Sequence, residues 1–150
     1  MTELTRCGLI AFLGLSVALF PANAQAKQGA APKPGNGAGQ AALVDRGRYI
    51  VENVAMCELC HTPRDQHGNP ERGNWLKGGP VPLHPAYSAP DWPLMEPKIG
   101  GGPPGTDAEF IRLMTTGISR TGSPPKAPMP PFRFTRADAE AVLAYLKSLR

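Results

Sequence analysis

The 150-residue chain is short of the side chains that build a large core: aromatics make up 7 % of it, while proline and glycine contribute 18 and 17 residues. So many chain-breakers leave much of the length as loop. A small domain of this composition needs outside help to fold, from a metal, a cofactor or disulfides. Disulfides have little to draw on, because there are only three cysteines, Cys7, Cys57 and Cys60. The charge excess is modest, a formal +4, and its Lys and Arg residues are scattered. No dense basic block with interleaved aromatics is present, which argues against a nucleic-acid partner. Scattered cations suit ordinary solubility or attraction to acidic groups on a partner or cofactor. There is no internal repeat, and no stretch alternates convincingly with the period of two that a half-buried strand requires. The apolar run over residues 9–20 is too short to span a bilayer comfortably.

That run does read as an export signal. Arg6 stands in a short polar start, and Ala22-Asn23-Ala24 supplies the small-x-small pattern that follows the apolar stretch. The expectation is a signal peptide over residues 1–24, with an uncleaved membrane anchor as the alternative. Cys7 leaves with the leader, so the exported chain holds only Cys57 and Cys60, in an oxidising compartment. Residues 25–42 are rich in Ala, Gly and Pro without periodicity and read as a flexible linker. The ordered domain is expected over residues 43–150.

Within it, Leu43, Gly47, Ile50, Val51 and Val54 fall at helical spacing and predict a short amphipathic helix running into Cys57. Residues 64–105 are punctuated throughout by Gly and Pro and keep neither period. Thr106 and Glu109 form a capping box for a second helix, with Phe110, Ile111, Met114 and Ile118 as its apolar stripe and Gly117 as its stop. A Pro-rich loop over residues 123–132 leads to Thr135, which caps a last helix with Ala139, Val142, Leu143, Leu146 and Leu149 on one face. A structureless stretch as long as residues 64–105 is unusual inside a compact domain. It makes physical sense if the loops wrap something large and apolar.

The motif that decides what is wrapped is "MCELCH", residues 56–61. Cys-x-x-Cys-His is a haem-attachment signature. Two thiols add across the vinyl groups of one porphyrin edge, and the adjacent histidine lies beneath the ring, where it can bind the iron. Cys57, Cys60 and His61 are placed for those roles. A zinc site needs four ligands, and only His67 and His84, apart in loops, could add to the set. A redox dithiol expects a strand–helix–strand setting that this chain lacks. A structural disulfide between Cys57 and Cys60 would close a tiny loop and stabilise little.

Electron-transfer haems usually carry a second axial ligand, often Met. Met56 adjoins the anchor and cannot reach across the ring, and Met114 belongs to a helical stripe where core packing is the default. Met129, held among prolines downstream of the motif, is the expected ligand. Met95 is the alternative, and absence of any Met ligand the third possibility.

With these blocks in order, the chain resembles a class I, mono-haem cytochrome c over about residues 43–149. The run "GRYIVENVAMCELCHTPRD" is most similar to the haem domains of the cytochrome c subunits of periplasmic, membrane-associated alcohol- and gluconate-type dehydrogenases. "EFIRLMTTGIS" and "MPPFRFTRADAEAVLAYLKSL" continue the likeness. The resemblance implies an all-α, cytochrome c-like fold: three or more short helices and long loops wrapped around one covalently attached haem c. It implies that Gly47 lets the first and last helices cross, that Tyr49 and Tyr145 pack there, and that Ile99 lines the haem. The function it implies is a periplasmic electron carrier, not an enzyme, passing single electrons between a dehydrogenase or other redox donor and a respiratory acceptor. Cys57 and Cys60 would be the covalent anchors, and His61 and Met129 the axial ligands. A permanently bound subunit of a periplasmic dehydrogenase complex, or a haem protein with a labile sixth ligand, are the alternatives. Membrane contact is expected only if the leader stays uncleaved. Arg64, Lys77, Lys126 and Arg133 are candidates to pair with haem propionates or an acidic partner.

Overall fold

The computed structural model describes residues 37–149. The expected signal peptide and most of the expected linker lie outside them.

Helix α1 spans Gly37–Tyr49 and runs on through a π-helical turn at Ile50–Val54. It begins ahead of Leu43, so residues 37–42, read as linker, are helical. Ala38, Gln40, Ala41 and Ala42 are good helix formers, but their exposure leaves no apolar period to find. The π turn explains a second departure. The Ala55 amide donates to the Ile50 carbonyl five residues back, at 2.7 Å, and the wider turn shifts the apolar face. Ile50 and Val51 are buried while Val54, placed in the same stripe by straight helical counting, is 52 % exposed.

Helix α2 is the single turn Glu58–His61, and a 3-10 turn follows at Arg72–Asn74. Strands β1 (Gly79–Pro80) and β2 (Met95–Glu96) pair antiparallel, Gly79 opposite Glu96 and Pro80 opposite Met95. No strand was expected, and two residues per strand is too short to leave an alternating pattern. Helix α3 spans Asp107–Thr116 and carries the expected capping box. Thr106 Oγ1 accepts from the Glu109 amide, and the Thr106 amide donates back to Glu109 at 2.8 Å. Gly117 ends it in the left-handed region at φ +65°, where a side chain would be strained. Helix α4 spans Arg136–Ser148, capped by Thr135, which accepts from the Asp138 amide at 3.1 Å.

The core joins these elements around α4. Ile50 and Val51 from the π turn, Phe110 and Met114 from α3, and Val142, Leu143 and Leu146 from α4 are buried together. Leu76 and Ile99 from the long loops complete it. Leu76 is fully buried and pins those loops. Its amide donates to Thr62 Oγ1 at 3.0 Å, and its carbonyl accepts from the amides of Ile99 and Gly100 at 3.0 and 2.9 Å. The loop between the motif and α3 is therefore ordered by buried backbone hydrogen bonds rather than by regular structure.

Helices α1 and α4 cross in backbone contact at Gly47. A Cβ there would lie 1.9 Å from the Ala141 carbonyl oxygen. Beside this crossing Tyr145 is buried and donates its hydroxyl to Glu52, while Trp75 Nε1 reaches the same oxygen at 3.4 Å. Tyr49 does not pack there as expected. It is 52 % exposed, with the Arg46 guanidinium 5.8 Å from its ring centroid. The architecture is all-α apart from the two-residue strand pair, with long ordered loops between short helices. No helix among the described residues is long and apolar enough to cross a membrane.

Candidate functional site

The π turn hands the chain directly into the motif: the Cys57 amide donates to the Val51 carbonyl at 2.9 Å. From there α2 winds one turn, with the His61 amide donating to the Cys57 carbonyl at 2.9 Å. One turn of helix puts positions 57, 60 and 61 on the same side, because residues three and four apart are neighbours. Thr62 then turns extended and ends the helix.

His61 is buried, with 7 % of its surface exposed. Its Nδ1 lies 2.9 Å from the Pro97 carbonyl oxygen. A carbonyl can only accept, so Nδ1 carries a proton, and in the neutral ring Nε2 holds the lone pair. That fixes both the tautomer and the ring direction, as in metal-binding imidazoles. The Gly78 amide also donates to the His61 carbonyl, at 2.7 Å. The Pro97 contact escapes a reading of side-chain types, because the partner is a backbone atom 36 positions away.

The motif opens on a cavity of about 360 Å³, within the roughly 300–1,000 Å³ of ligand pockets. Cys57, Cys60 and His61 line one part of it, and Glu96, Pro97 and Ile99 another. Phe110, Leu113 and Met114 face it from α3, and Met129, Pro130 and Phe132 from the Pro-rich loop. The four residues singled out in the sequence, Cys57, Cys60, His61 and Met129, therefore border one space. The Met129 amide donates to the Lys126 carbonyl at 3.1 Å, and the Phe134 amide to the Met114 carbonyl at 2.9 Å. These bonds tie the loop to α3. Of the other methionines, Met114 is a core residue on the cavity wall and Met56 borders the cavity while being about half exposed. Met95 is 62 % exposed and is not among the lining residues.

Cys57 and Cys60 are free thiols. Burial, followed by the Glu58 charge, pushes the Cys57 thiol up to about 12. Burial and then Glu96 also raise Cys60. A redox dithiol works by the opposite shift, toward thiolate. Among the described residues no three His, Cys, Asp or Glu side chains converge on a point that could hold a metal ion, and His67 and His84 are both exposed. The donor set that does converge is two thiols, an imidazole with a free Nε2 and a thioether, in a mostly apolar cavity.

None of the four cations proposed for propionates lines this space. Arg64 hydrogen-bonds the carbonyls of Leu59 and Gly68, Lys77 that of Gly73, and Arg133 those of Pro131 and Phe132. The lining cation is Arg120, which carries no signal in the sequence because it stands in a polar turn with no neighbouring motif.

A model of the cytochrome c family matches residues 44–150. Over 38 residues the chain is 50 % identical to a diheme cytochrome c-type protein of Cereibacter sphaeroides, which covers 25 % of this chain and 13 % of that protein. Over 111 residues it is 28 % identical to a nicotinate dehydrogenase subunit of Pseudomonas putida, covering 70 % of this chain and 9 % of that subunit. The chain thus spans only about an eighth or less of the length of these relatives. The match over residues 44–150 covers well over half of the sequence, and the chain belongs to the cytochrome c family.

Proposed function

We propose that the protein is an exported, periplasmic electron carrier with one covalently attached haem c, anchored by Cys57 and Cys60 and ligated by His61 and Met129. The observation that carries this reading is the meeting of those four side chains on one cavity. The residues fit the group. The walls are largely apolar, the thiols are unpaired, and the Pro97 carbonyl holds the His61 proton on Nδ1, leaving Nε2 to bind iron. A haem bound here would supply a one-electron ferric/ferrous couple. His61 and Met129 would both bind the iron and leave no open site for substrate. Met129 and the apolar walls would favour the ferrous state. Partners would dock transiently, through a small interface with some charge steering.

The test is the absorption spectrum of the exported protein before and after denaturing extraction. Colour that stays with the polypeptide, at one haem per chain, is expected. Zinc without covalent haem would end the proposal. Met129→Ala is expected to make the reduced protein reactive toward carbon monoxide. An unchanged spectrum and unchanged carbon monoxide reactivity would remove Met129 as ligand while leaving the anchors in place.

A second reading is supported by the 28 % identity to the nicotinate dehydrogenase subunit: the chain could serve as the electron-accepting component of a periplasmic dehydrogenase complex. Stable co-purification with a dehydrogenase would favour it, and a freely exchanging monomer would count against it.

A further inference from the structure

The cavity is mostly apolar, but a haem brings two carboxylates that an apolar wall cannot satisfy. An ionised carboxylate near such a wall needs a charge-assisted partner or it is driven toward its neutral form. The only Lys or Arg among the lining residues is Arg120. Its guanidinium makes no side-chain hydrogen bond and no ion pair within 4.0 Å among the described residues, whereas the other ion pairs there engage Arg46, Arg48, Arg136 and Lys147.

Arg120 is also held on a stiff support. The Gly122 amide donates to the Ser119 carbonyl at 3.0 Å, closing a tight turn, and the Ser119 amide donates to the Ser123 carbonyl at 2.8 Å. The Ser119 and Thr121 hydroxyls lie 2.7 Å apart. Arg112 on α3 donates to the same Ser119 carbonyl at 2.7 Å, fastening the turn to the helix that carries Phe110 and Met114. Gly122 takes φ +85°, which suits glycine. The acid on this part of the lining, Glu109, is already engaged: Thr106 donates to it through both its amide and its hydroxyl, at 2.8 and 3.1 Å. Those bonds hold the Glu109 carboxyl below the usual range, with Arg120 and Arg112 adding smaller contributions. Arg120 is therefore free to take a carboxylate from the bound group.

We propose that Arg120 is the carboxylate subsite of this cavity, its guanidinium clamping a haem propionate. This rests on the haem reading above. A planar guanidinium matches a carboxylate with two parallel hydrogen bonds, which an ammonium cannot reproduce. The clamp keeps the propionate ionised and offsets its charge, and so favours the ferrous state. The other ionisable groups on the cavity are Cys57, Cys60 and His61 at the motif, Glu96 on β2 and Glu109 on α3. None of them brings a permanent positive charge to the site.

The experiment is the midpoint potential of the haem-loaded protein from pH 5 to pH 9, for the wild type, Arg120→Gln and Arg120→Lys, with Lys126→Gln as a control. Arg120→Gln is expected to shift the oxidised-to-reduced ratio at fixed potential about tenfold toward oxidised, about 59 mV for a one-electron couple. Its potential should also rise as pH falls, because the unclamped propionate now takes up a proton. Arg120→Lys should lie between Arg120→Gln and wild type, and the control should match wild type. A potential and pH profile unchanged in Arg120→Gln, with haem attached and the iron ligands intact by spectrum, would overturn the subsite and leave the haem reading standing. Should Arg120→Gln not mature, Arg120→Lys decides alone: a wild-type profile overturns the clamp, and a lowered potential supports it. A wild-type protein without covalent haem would refute the haem reading, and the subsite with it.

Discussion

Gly47→Ala should destabilise the protein although it places a better helix former in the middle of α1. The added Cβ would lie 1.9 Å from the Ala141 carbonyl oxygen, 2.6 Å from its carbon and 2.8 Å from Tyr145 Cβ. Two of these are backbone atoms of α4, so no rotamer change relieves the clash. To reach even 3.0 Å the helices must part by about 1.1 Å (3.0 − 1.9). A gap of that order forfeits about a quarter to a half of each dispersion contact across the crossing. Overpacking of this kind costs about 1–3 kcal/mol, and rigid backbone on both sides places Gly47 at the upper end. The gain in helix propensity returns about 1 kcal/mol, leaving a net loss of about 2 kcal/mol. At about 4 °C per kcal/mol for a domain near 100 residues, the midpoint of thermal unfolding should fall by about 8 °C. The assay is circular dichroism at a helical wavelength on the haem-loaded protein. Gly37→Ala is the control, since a Cβ there meets nothing within 4 Å. A Gly47→Ala midpoint equal to or above wild type would refute the argument, because it would mean that propensity outweighs the crossing.

Two further substitutions probe polar groups buried near the core. Thr62→Val keeps the shape but strands the buried Leu76 amide, which donates to Thr62 Oγ1 at 3.0 Å. A loss of about 1–3 kcal/mol is expected from denaturant unfolding, and a change within error would show that water replaces the hydroxyl. In Tyr145, burial and then the hydrogen bond to Glu52 push the phenol up to about 12, above its ordinary value of about 10. A raised folded pKa means that the stabilisation is complete below about pH 10 and is lost as pH rises toward 12. Tyr145→Phe should be less stable at neutral pH and should lack that alkaline decline, as read by unfolding curves at pH 8 and above.

The helices around the site were legible because their signals are local. Thr106 with Glu109, Gly117, and Thr135 with Asp138 are short-range patterns, and all three stand where the sequence places them. The motif was legible for the same reason, since one helical turn suffices to gather Cys57, Cys60 and His61. The place of Met129 on the cavity wall needed only the inference that a methionine among prolines is held in place. The π turn at residues 50–54 could not be read, because one wider turn leaves composition unchanged while rotating Val54 to the surface. The Pro97 carbonyl and the Leu76 backbone were equally invisible, since they act through atoms every residue has. Arg120 reaches the cavity only because a turn and Arg112 aim it there, and that placement belongs to the fold rather than to any short pattern.

The crossing of α1 and α4 also sets an order of events. Arg46 pairs with Asp138 and Glu52 with Tyr145, contacts 92 and 93 positions apart, so the clasp cannot close until α4 has been made. The motif lies near the front of that span and emerges early. In the folded protein burial holds the Cys57 thiol at about 12, where almost none of it is the reactive thiolate. Before the clasp closes, both thiols are solvated and far more reactive. The proposed attachment of a haem at Cys57 and Cys60 would therefore be favoured in the open chain, before α4 closes over α1.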